Sequence, residues 1–326
     1  MALASADGGA PDLSVVTTLY RSEPYIREFY GRMVASALQV SPSFEIVFVD
    51  DGSPDQAASI ARELVARDPR VKLVELSRNF GHHRAALAGL QHARGRRVFI
   101  IDVDLEEQPE WLPEFAAEFD RTGADVVYGQ SVLRRGSLFR RWSGAAFWKL
   151  FNLMSETKVP PNPCTVRLLG RRYLEALFTL PDRALFLAGS YAWAGFRQVA
   201  RPVEKRVRPT RSNYSLARLL DLFVEAVTSF TSYPLKLILL VGVAIAGAAV
   251  LAGLGLIVRK LLYPETITMG WPSIMVSIWF LGGTMIAFLG VIGMYIAKVF
   301  VETKGRPVYL VREVHVSGAA PDGSGG

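Results

Sequence analysis

An acidic cluster directly follows an apolar run in the segment VFIIDVDLEEQPE, residues 98–110. Asp102 and Asp104 lie two positions apart, so in an extended strand both carboxylates project to one face, about 6–7 Å apart. A hard divalent cation takes oxygen ligands, typically one or two carboxylates together with substrate phosphates. The spacing therefore permits Asp102 and Asp104, with Glu106 as a third oxygen donor, to hold Mg²⁺ or Mn²⁺ against a diphosphate, although an Asp-x-Asp pair is by itself a weak signal.

Two simpler explanations compete with a metal site. An Asp-x-Asp pair often occurs by chance, and acidic side chains commonly just face water. Glu107 and Glu110 fit the first turn of a helix that begins near Pro109, where negative charge complements the helix dipole. We therefore predict that Glu107 and Glu110 belong to an ordinary helix start, and we assign only the earlier acids to chemistry.

The segments around this cluster alternate between two patterns. Short apolar stretches alternate with helical ones, which predicts an α/β fold with a mainly parallel, Rossmann-like sheet. The predicted strands cover 13–19, part of 44–55, 71–79, 97–104 and 124–130, and the predicted helices cover 26–38, 56–67 and 85–93.

Polar residues follow four of these strands. In open α/β sheets, ligands bind beyond the carboxyl ends of the strands, so these residues are predicted to share one ligand-binding edge. They are Tyr20 and Glu23, Asp50 and Asp51, Arg78 and Asn79, and Asp102 and Asp104.

Other common ligand signatures are missing from the sequence. No G-x-G-x-x-G motif follows the first strand and no G-x-x-x-x-G-K-[ST] motif occurs, which excludes the usual dinucleotide and P-loop sites. His82, His83 and His92 lie close together, but a zinc site requires better spacing and more ligands. The single Cys164 excludes an internal disulfide framework and a cysteine-based zinc site.

Two long uncharged runs predict membrane-spanning helices. Residues 237–258 and 272–297 are runs of 22 and 26 residues without a charge, or about 33 and 39 Å of helix. A bilayer core is about 30 Å thick, so we predict two transmembrane helices, at about 235–258 and 272–297. A pair of buried helices in a soluble protein is the alternative.

Charge predicts how the chain is oriented at the bilayer. Basic residues cluster before the first span and after the second, which favours the inner (plasma) membrane with both termini and the α/β domain in the cytoplasm. The start of the chain, MALASADGGAPD, lacks the basic and apolar regions of a signal peptide. The net charge of +7 is attributed to attraction to anionic lipid and phosphate, and no nucleic-acid partner is predicted.

Two segments before the spans interleave basic and aromatic residues at helical spacing. Residues 136–155 and 212–234 are both predicted to be amphipathic helices at the membrane surface. Ordinary packed helices are the alternative for each of them. The adjoining spans favour the membrane-surface interpretation.

Four motifs occur in the order VVTTLYRSEPYI, IVFVDDGSPD, LSRNFGHHRAALAGL and VFIIDVDLEEQPE. Together they resemble the nucleotide-sugar-binding half of family 2 glycosyltransferases, which have the GT-A fold. Downstream segments such as CTVRLLGRRYLEAL, and the two spans, resemble the polyprenyl-phosphate glycosyltransferases. That group contains dolichol-phosphate mannose synthase and its bacterial undecaprenyl-phosphate relatives. The resemblance covers about residues 12–312.

The resemblance implies a function and a role for each matching residue. The expected reaction is inverting sugar transfer from a UDP- or GDP-linked donor to a polyprenyl phosphate, with undecaprenyl phosphate as the expected acceptor and Mg²⁺ or Mn²⁺ as cofactor. The implied roles are nucleotide-sugar binding for Leu19, Tyr20, Glu23, Asp50, Asp51, Asn79 and Asp102, metal binding for Asp102, Asp104 and Glu106, acceptor-phosphate binding for Arg134, Arg140 and Arg141, and catalysis for Asp104 and Arg134.

The chain departs from the family pattern at two places. Many relatives have G-D-F-R-L where residues 164–168 read C-T-V-R-L, so Thr165 replaces an acid that could act as a base. Many also have Y-G-x-R where residues 128–131 read Y-G-Q-S, which moves the expected phosphate-binding arginine to Arg134. The missing base need not abolish catalysis, because a phosphate monoester is already an oxyanion at neutral pH.

The predicted organisation combines these segments. It comprises a tail (1–11), a GT-A glycosyltransferase domain (12–211), an interfacial helix (212–234), two spans (235–300), a C-terminal strand (301–316) and a second tail (317–326). Glycines in the spans permit close helix contact, so a homo-oligomer is expected. Two other functions stay open: a processive polysaccharide synthase, and a catalytically inactive membrane scaffold or transporter subunit. The departures above favour the inactive protein, whereas the missing Q-x-x-R-W segment disfavours the synthase.

Overall fold

The computed structural model describes residues 9–132, 160, 163–180, 187–205, 233–262 and 270–317. The arginines predicted to bind the acceptor phosphate, Arg134, Arg140 and Arg141, lie outside the described residues. The predicted surface helix at 136–155 lies outside them as well, and so does most of the one at 212–234.

The described residues form one mixed sheet of eight strands. The strands are β1 (Leu13–Leu19), β2 (Phe44–Asp50), β3 (Val71–Leu76), β4 (Arg97–Ile100), β5 (Val126–Ser131), β6 (Pro163–Gly170), β7 (Gln198–Val203) and β8 (Val311–Val316). Their spatial order is β7-β5-β6-β4-β1-β2-β3-β8. The four strands β4, β1, β2 and β3 are parallel neighbours. β6 runs antiparallel to β4 and β5, β7 is parallel to β5, and β8 is antiparallel to β3.

Helices cover both faces of this sheet. They are α1 (Ile26–Leu38), α2 (Ala57–Arg67), α3 (His82–His92), α4 (Leu112–Thr122), α5 (Arg171–Phe178) and α6 (Leu187–Trp193). Successive strand residues point to opposite faces, so Val15 packs in the core under α1, α2 and α4, and Val16 in the core under α3, α5 and α6. Both valines are fully buried, which explains why the central strands have almost continuous apolar sequences.

The strand predicted at 97–104 is shorter in the structure. β4 ends at Ile100, and the chain then turns. The Oδ1 atom of Asp104 accepts the N–H of Glu106 at 3.1 Å, and Leu105 has a positive φ of 63°. Short acidic side chains form such local hydrogen bonds and thereby end regular structure. The prediction that Asp102 and Asp104 share one face of an extended strand is therefore wrong, and both belong to a turn.

Other boundaries differ less. β3 ends at Leu76, three residues before its predicted end, and α3 begins at His82, three residues before its predicted start. Within the C-terminal segment 301–316 that was predicted as a strand, only Val311–Val316 forms one, β8, which covers the edge of β3, and residues 301–303 belong to a helix. Strand edges left uncovered tend to pair with other chains, so β8 protects the parallel core of the sheet.

Two further helices, α7 (Tyr233–Leu262) and α8 (Trp271–Thr303), belong to a unit separate from the sheet. Within α8, Ser277–Thr303 is long and apolar enough to cross a membrane, with a mean hydropathy of 2.0 and none of its most apolar window buried. In α7 the comparable stretch among the described residues is shorter, Tyr233–Ile245. Among the described residues there is therefore one candidate span, and the second predicted span is not confirmed.

A glycine permits α3 to lie close to the sheet. A Cβ atom at Gly89 would lie 2.4 Å from Cγ1 of Val16 and 2.9 Å from Cγ2 of Val49. Gly31 lies in α1, and apart from the backbone of its own helix no atom of the described residues lies within 4 Å of a Cβ placed there. The two helices thus offer one glycine that packing requires and one that it does not.

We expect Gly89→Ala to lower the free energy of unfolding by about 1–3 kcal/mol, because it overpacks a filled core. Gly31→Ala is the matched control and should raise it by about 0.5–1 kcal/mol, because alanine loses less backbone entropy in a helix. Thermal unfolding of the purified full chain in detergent, followed by circular dichroism, measures both. Equal shifts for the two variants would contradict the close packing of α3.

Candidate functional site

The carboxyl ends of β4, β1, β2 and β3 lie side by side, because these strands are parallel neighbours. The polar residues that follow them therefore lie along one edge of the sheet, as the sequence predicts. The turn after β4, residues 101–107, carries the predicted metal ligands and is called the acidic turn below. Strand β6 lies next to β4 on its other side.

Asp102 is the first carboxylate of the acidic turn. Burial raises the pKa of Asp102 to about 6, and the negative charges of Asp104 and Glu106 add to the shift. The ammonium group of Lys205 and a hydrogen bond from the Thr165 hydroxyl oppose it. A carboxylate whose charge is disfavoured by its surroundings gains more from a nearby cation than an exposed carboxylate does. The environment of Asp102 thus fits a metal ligand.

His82 links the acidic turn to β1. Its Nε2 atom lies 3.7 Å from Oδ1 of Asp102, and its Nδ1 atom lies 3.1 Å from the hydroxyl of Thr18. Burial lowers the pKa of His82, although nearby carboxylates oppose the shift. A neutral imidazole carries one donor and one acceptor nitrogen, so His82 suits a bridge between a hydroxyl and a carboxylate. Sequence analysis gave it no such role.

Asp104 and Glu106 occupy the bend of the acidic turn, and both side chains are half-buried. Among the described residues, no group of three or more His, Cys, Asp and Glu side chains is arranged to hold a metal ion by itself. Two carboxylates completed by substrate phosphates are the usual set for Mg²⁺. The donors present therefore fit a cation that is held jointly with a substrate.

Asp51 holds the loop between β3 and α3. Its two carboxylate oxygens accept the N–H groups of Phe80 and Gly81, at 2.7 and 2.9 Å. Burial raises the pKa of Asp51, and these two hydrogen bonds oppose the shift. Gly52 has a φ of 64°, and a Cβ there would lie 2.7 Å from the Asn79 nitrogen. The carboxylate of Asp51 therefore fixes the start of α3 and the position of His82.

The other residues predicted to bind the nucleotide differ in exposure. Tyr20 is 46% exposed and Asn79 is exposed, so both are available to a ligand. The side chain of Leu19 lies in the core, and its carbonyl accepts the N–H of Asp51. Any contact of Leu19 with a ligand would therefore involve only its main chain. These assignments remain predictions.

Asp50 and Glu23 both make local hydrogen bonds at this edge. Oδ1 of Asp50 accepts the N–H of Ser53 at 3.1 Å, and burial raises the pKa of Asp50. Oε2 of Glu23 accepts the N–H of Gln56 at 3.2 Å, immediately before α2. Both carboxylates thus shape the turn between β2 and α2, and they border the edge where a nucleotide is predicted.

Glu107 is the residue that sequence analysis assigned wrongly. It was predicted to open a helix, but its side chain is fully buried. Its Oε1 atom lies 2.7 Å from Nζ of Lys205 and accepts the N–H of Thr165 at 3.0 Å, while Oε2 has no hydrogen-bond partner in the described part of the chain. Glu110, in contrast, is exposed, pairs with Arg32 and lies in the first turn of a short helix. The helix-start prediction is therefore supported for Glu110 alone.

Glu107 and Lys205 each change the pKa of the other. Burial raises the pKa of Glu107 to about 7, and the carboxylate of Asp102 adds to the shift, while Lys205 opposes it. Burial also acts to lower the pKa of Lys205, but the carboxylate of Glu107 outweighs it and the pKa of Lys205 is raised. Lys205 lies just after β7 and Thr165 in β6. Glu107 therefore ties the acidic turn to two other parts of the sheet.

We expect Lys205→Met to destabilise the fold by about 3 kcal/mol, because it leaves a buried carboxyl without its cation. Glu107→Gln should cost less, since Lys205 is partly exposed and can turn to water. The double variant Glu107→Gln/Lys205→Met should recover most of the Lys205→Met loss.

The stability deficit of Lys205→Met should also depend on pH. An acid whose pKa is raised on folding favours the folded state at low pH, and that contribution is lost as the pH rises through the raised pKa. Without Lys205 the pKa of Glu107 is raised further than in wild type, so the deficit should stay nearly constant up to about pH 7 and grow between about pH 7 and 9. Thermal unfolding of wild type and the three variants across this range measures the effect. A deficit that shrinks with rising pH would contradict the pairing.

Comparison with known proteins places this site in a family. The family described as glycosyl transferase family 2 matches residues 14–178, from β1 to the end of α5. The chain is 42% identical over 305 residues to a glycosyltransferase of Mycobacterium tuberculosis, covering 94% of this chain and 89% of the relative. It is 34% identical to the glycosyltransferase YkcC of Bacillus subtilis, covering 92% and 93%.

A third relative is the SfII prophage-derived bactoprenol glucosyl transferase of Shigella flexneri. It is 34% identical over 309 residues, covering 93% of this chain and 98% of the relative. The family match takes in the acidic turn and the parallel strands, and the α/β fold with its mixed sheet is GT-A-like. This chain therefore belongs to glycosyl transferase family 2.

Proposed function

We propose that this protein transfers a sugar from a nucleoside diphosphate sugar to a polyprenyl phosphate, with inversion at the anomeric carbon and undecaprenyl phosphate as natural acceptor. The observation that carries the proposal is similarity over nearly the whole length. Relatives named bactoprenol glucosyl transferase share 34% identity over 92–93% of this chain and 98% of their own. That extent reaches beyond the family 2 domain into the apolar helices, which a lipid-linked acceptor requires.

The edge of the sheet supports a nucleotide sugar as donor. Tyr20 offers an exposed aromatic face to a base, and Asp50 borders the same edge. The acidic turn lies two strands from β2, across β1. A donor laid along the edge would thus have its base near β2 and its diphosphate near Asp102 and Asp104. UDP and GDP donors both fit this arrangement.

A divalent cation is part of the proposal. Asp102 and Asp104, with Glu106 beside them, would hold Mg²⁺ or Mn²⁺ together with the donor phosphates. Bound there, the cation would neutralise negative charge on the departing nucleoside diphosphate. The hydrogen bond from the Thr165 hydroxyl and the bridge through His82 would keep the Asp102 carboxylate oriented.

The nucleophile needs little activation from the protein. A polyprenyl phosphate is already ionised at neutral pH, since its second pKa is about 6. The absence of an acid at Thr165 is therefore compatible with a direct displacement, in which the phosphate oxygen attacks the anomeric carbon as the donor diphosphate leaves. The protein contributes by positioning the two substrates. Arg134, Arg140 and Arg141 remain proposed contacts for the acceptor phosphate.

The acceptor determines where the reaction takes place. A long prenyl chain stays in the bilayer, so the sheet edge must reach the membrane surface. We propose that α7 and α8 both span the bilayer and that the sheet domain lies in the cytoplasm. The 27-residue stretch Ser277–Thr303 of α8, which is apolar on average, supports one span. The 30-residue length of α7 and its uncharged run at 237–258 support the other.

Asp104→Asn is expected to lower turnover on the order of 100-fold or more, because it removes an ionised ligand from the diphosphate site. Glu110→Gln is the matched control from the same acidic segment and should retain wild-type turnover. The assay follows transfer of radiolabelled sugar from a nucleotide sugar to extractable lipid by purified protein. Near-wild-type turnover of Asp104→Asn would contradict the proposed metal site.

The stereochemistry of the product tests the displacement. A single attack by the acceptor phosphate inverts the anomeric carbon, so a donor with an α-linked sugar should give a β-linked polyprenyl phosphate. A screen of UDP- and GDP-sugars with undecaprenyl phosphate identifies the donor, and proton NMR of the product gives the anomeric configuration. An α-linked product would contradict direct displacement.

A further inference from the structure

A small pocket adjoins the acidic turn, between the start of α3, strand β6 and helix α6. Its volume is about 110 Å³, which is room for several water molecules or a phosphate group but not for a nucleoside. His82, Thr165, Arg167 and Tyr191 are among the residues that line it. His82 and Thr165 also contact Asp102. A group bound in this pocket would therefore lie next to the proposed diphosphate site.

Arg167 is the unusual member of this lining. It is only 5% exposed, and its Nε atom has no hydrogen-bond partner among the residues that the structure describes. Its guanidinium carbon lies 4.2 Å from the ring centroid of Tyr191 and 5.5 Å from that of Tyr128. Aromatic faces stabilise a cation, but they satisfy none of its N–H groups. Buried charges are normally paired and hydrogen-bonded, so a guanidinium with an unpaired Nε–H would be stabilised by an anionic ligand.

Nearby acids do not fill this role. The charge of Glu107 acts on Arg167, but its carboxylate already binds Lys205. Thr165, which also lines the pocket, carries a neutral hydroxyl. On the described side of the pocket the cation therefore faces neutral groups and aromatic rings.

We propose that this pocket is a subsite for a phosphate monoester and that Arg167 is the cation that binds it. The planar guanidinium fork matches the spacing of phosphate oxygens, and the pocket volume suits one phosphate group. Inorganic phosphate and the head group of a prenyl phosphate share this chemistry. That the group is the head of the acceptor lipid rests on the proposed function. Arg167 then adds a phosphate contact inside the sheet domain to those proposed for Arg134, Arg140 and Arg141.

Kinetics of variants separate this role from a structural one. We expect Arg167→Met to raise the KM for a short-chain prenyl phosphate about 10- to 100-fold, with the KM for the nucleotide sugar within about twofold of wild type. Arg167→Lys keeps the charge but loses the planar fork, so its KM for the prenyl phosphate should lie between those of wild type and Arg167→Met. Arg172→Met is the matched control, because Arg172 also stacks on an aromatic ring, that of Phe196, but is exposed. It should change neither KM.

Unfolding temperature provides the second measurement. Replacing a buried, incompletely paired cation by an apolar side chain is often neutral or stabilising, so Arg167→Met without substrate should unfold no earlier than Arg172→Met. If Arg167 only held the tyrosines in place, its loss would lower the unfolding temperature and raise both KM values together. A lower unfolding temperature together with a rise in both KM values would overturn the proposal. So would an unchanged KM for the acceptor, or a change in the KM for the donor alone.

Binding of inorganic phosphate tests the subsite without activity. Phosphorus NMR titration of the full-length protein should show binding to wild type, weaker binding to Arg167→Lys and none to Arg167→Met. If wild type transfers no sugar to prenyl phosphate, the proposed function fails, whereas loss of phosphate binding in the variants would still support the subsite. Equal phosphate binding in wild type and both variants, or none in wild type, would overturn it. Should Arg167→Met fail to fold, the comparison with Arg167→Lys decides.

Discussion

The rest of the site depends on the contacts that the buried carboxylate of Glu107 makes with Lys205 and Thr165. This carboxylate joins the acidic turn to β6 through the N–H of Thr165 and to the segment that follows β7 through Lys205. A carboxylate of this kind is costly to bury and is held only where its partners are well placed. Thr165 and Lys205 therefore have to keep their positions relative to Glu107. Asp102 interacts with the same two residues, so its position is fixed as well. A turn, rather than a rigid strand, can thus present Asp102 and Asp104 to a diphosphate.

A second constraint acts at the neighbouring strands. Asp51 accepts two backbone N–H groups from the loop before α3, and Gly89 permits α3 to pack tightly on β1 and β2. Together they fix the position of His82 between Thr18 and Asp102. Several acids that border the proposed substrate site therefore also hold the adjoining loops in place by accepting backbone N–H groups. The pattern explains why burial raises the pKa of Asp50, Asp51 and Asp102 alike.

The sequence predicted the alternating α/β order, the shared edge of the parallel strands and the C-terminal strand, because burial and strand periodicity are local signals. It did not predict β6, β7 or the role of Glu107. The carboxyl of Glu107 looks like part of a helix start in sequence, and only the return of the chain at Thr165 and Lys205 buries it. The bend that ends β4 at Ile100 was missed because apolar residues continue to Val103 and hide the turn made by Asp104. The first error concerns long-range contacts and the second a local hydrogen bond from a side chain to the backbone, and hydrophobic periodicity reports neither.

The properties of the proposed acceptor relate the apolar helices to the chemistry of the site. An acceptor that is already an oxyanion removes the need for a base, and an acceptor that stays in the bilayer requires the apolar helices. The central claim is that Asp102 and Asp104 hold a divalent cation jointly with a nucleoside diphosphate. Electron paramagnetic resonance of free Mn²⁺, titrated with purified protein and with UDP or GDP, measures this directly. We expect Mn²⁺ binding that requires the nucleotide and is lost in Asp104→Asn. Equal Mn²⁺ binding by wild type and Asp104→Asn would contradict the claim that Asp104 holds the cation.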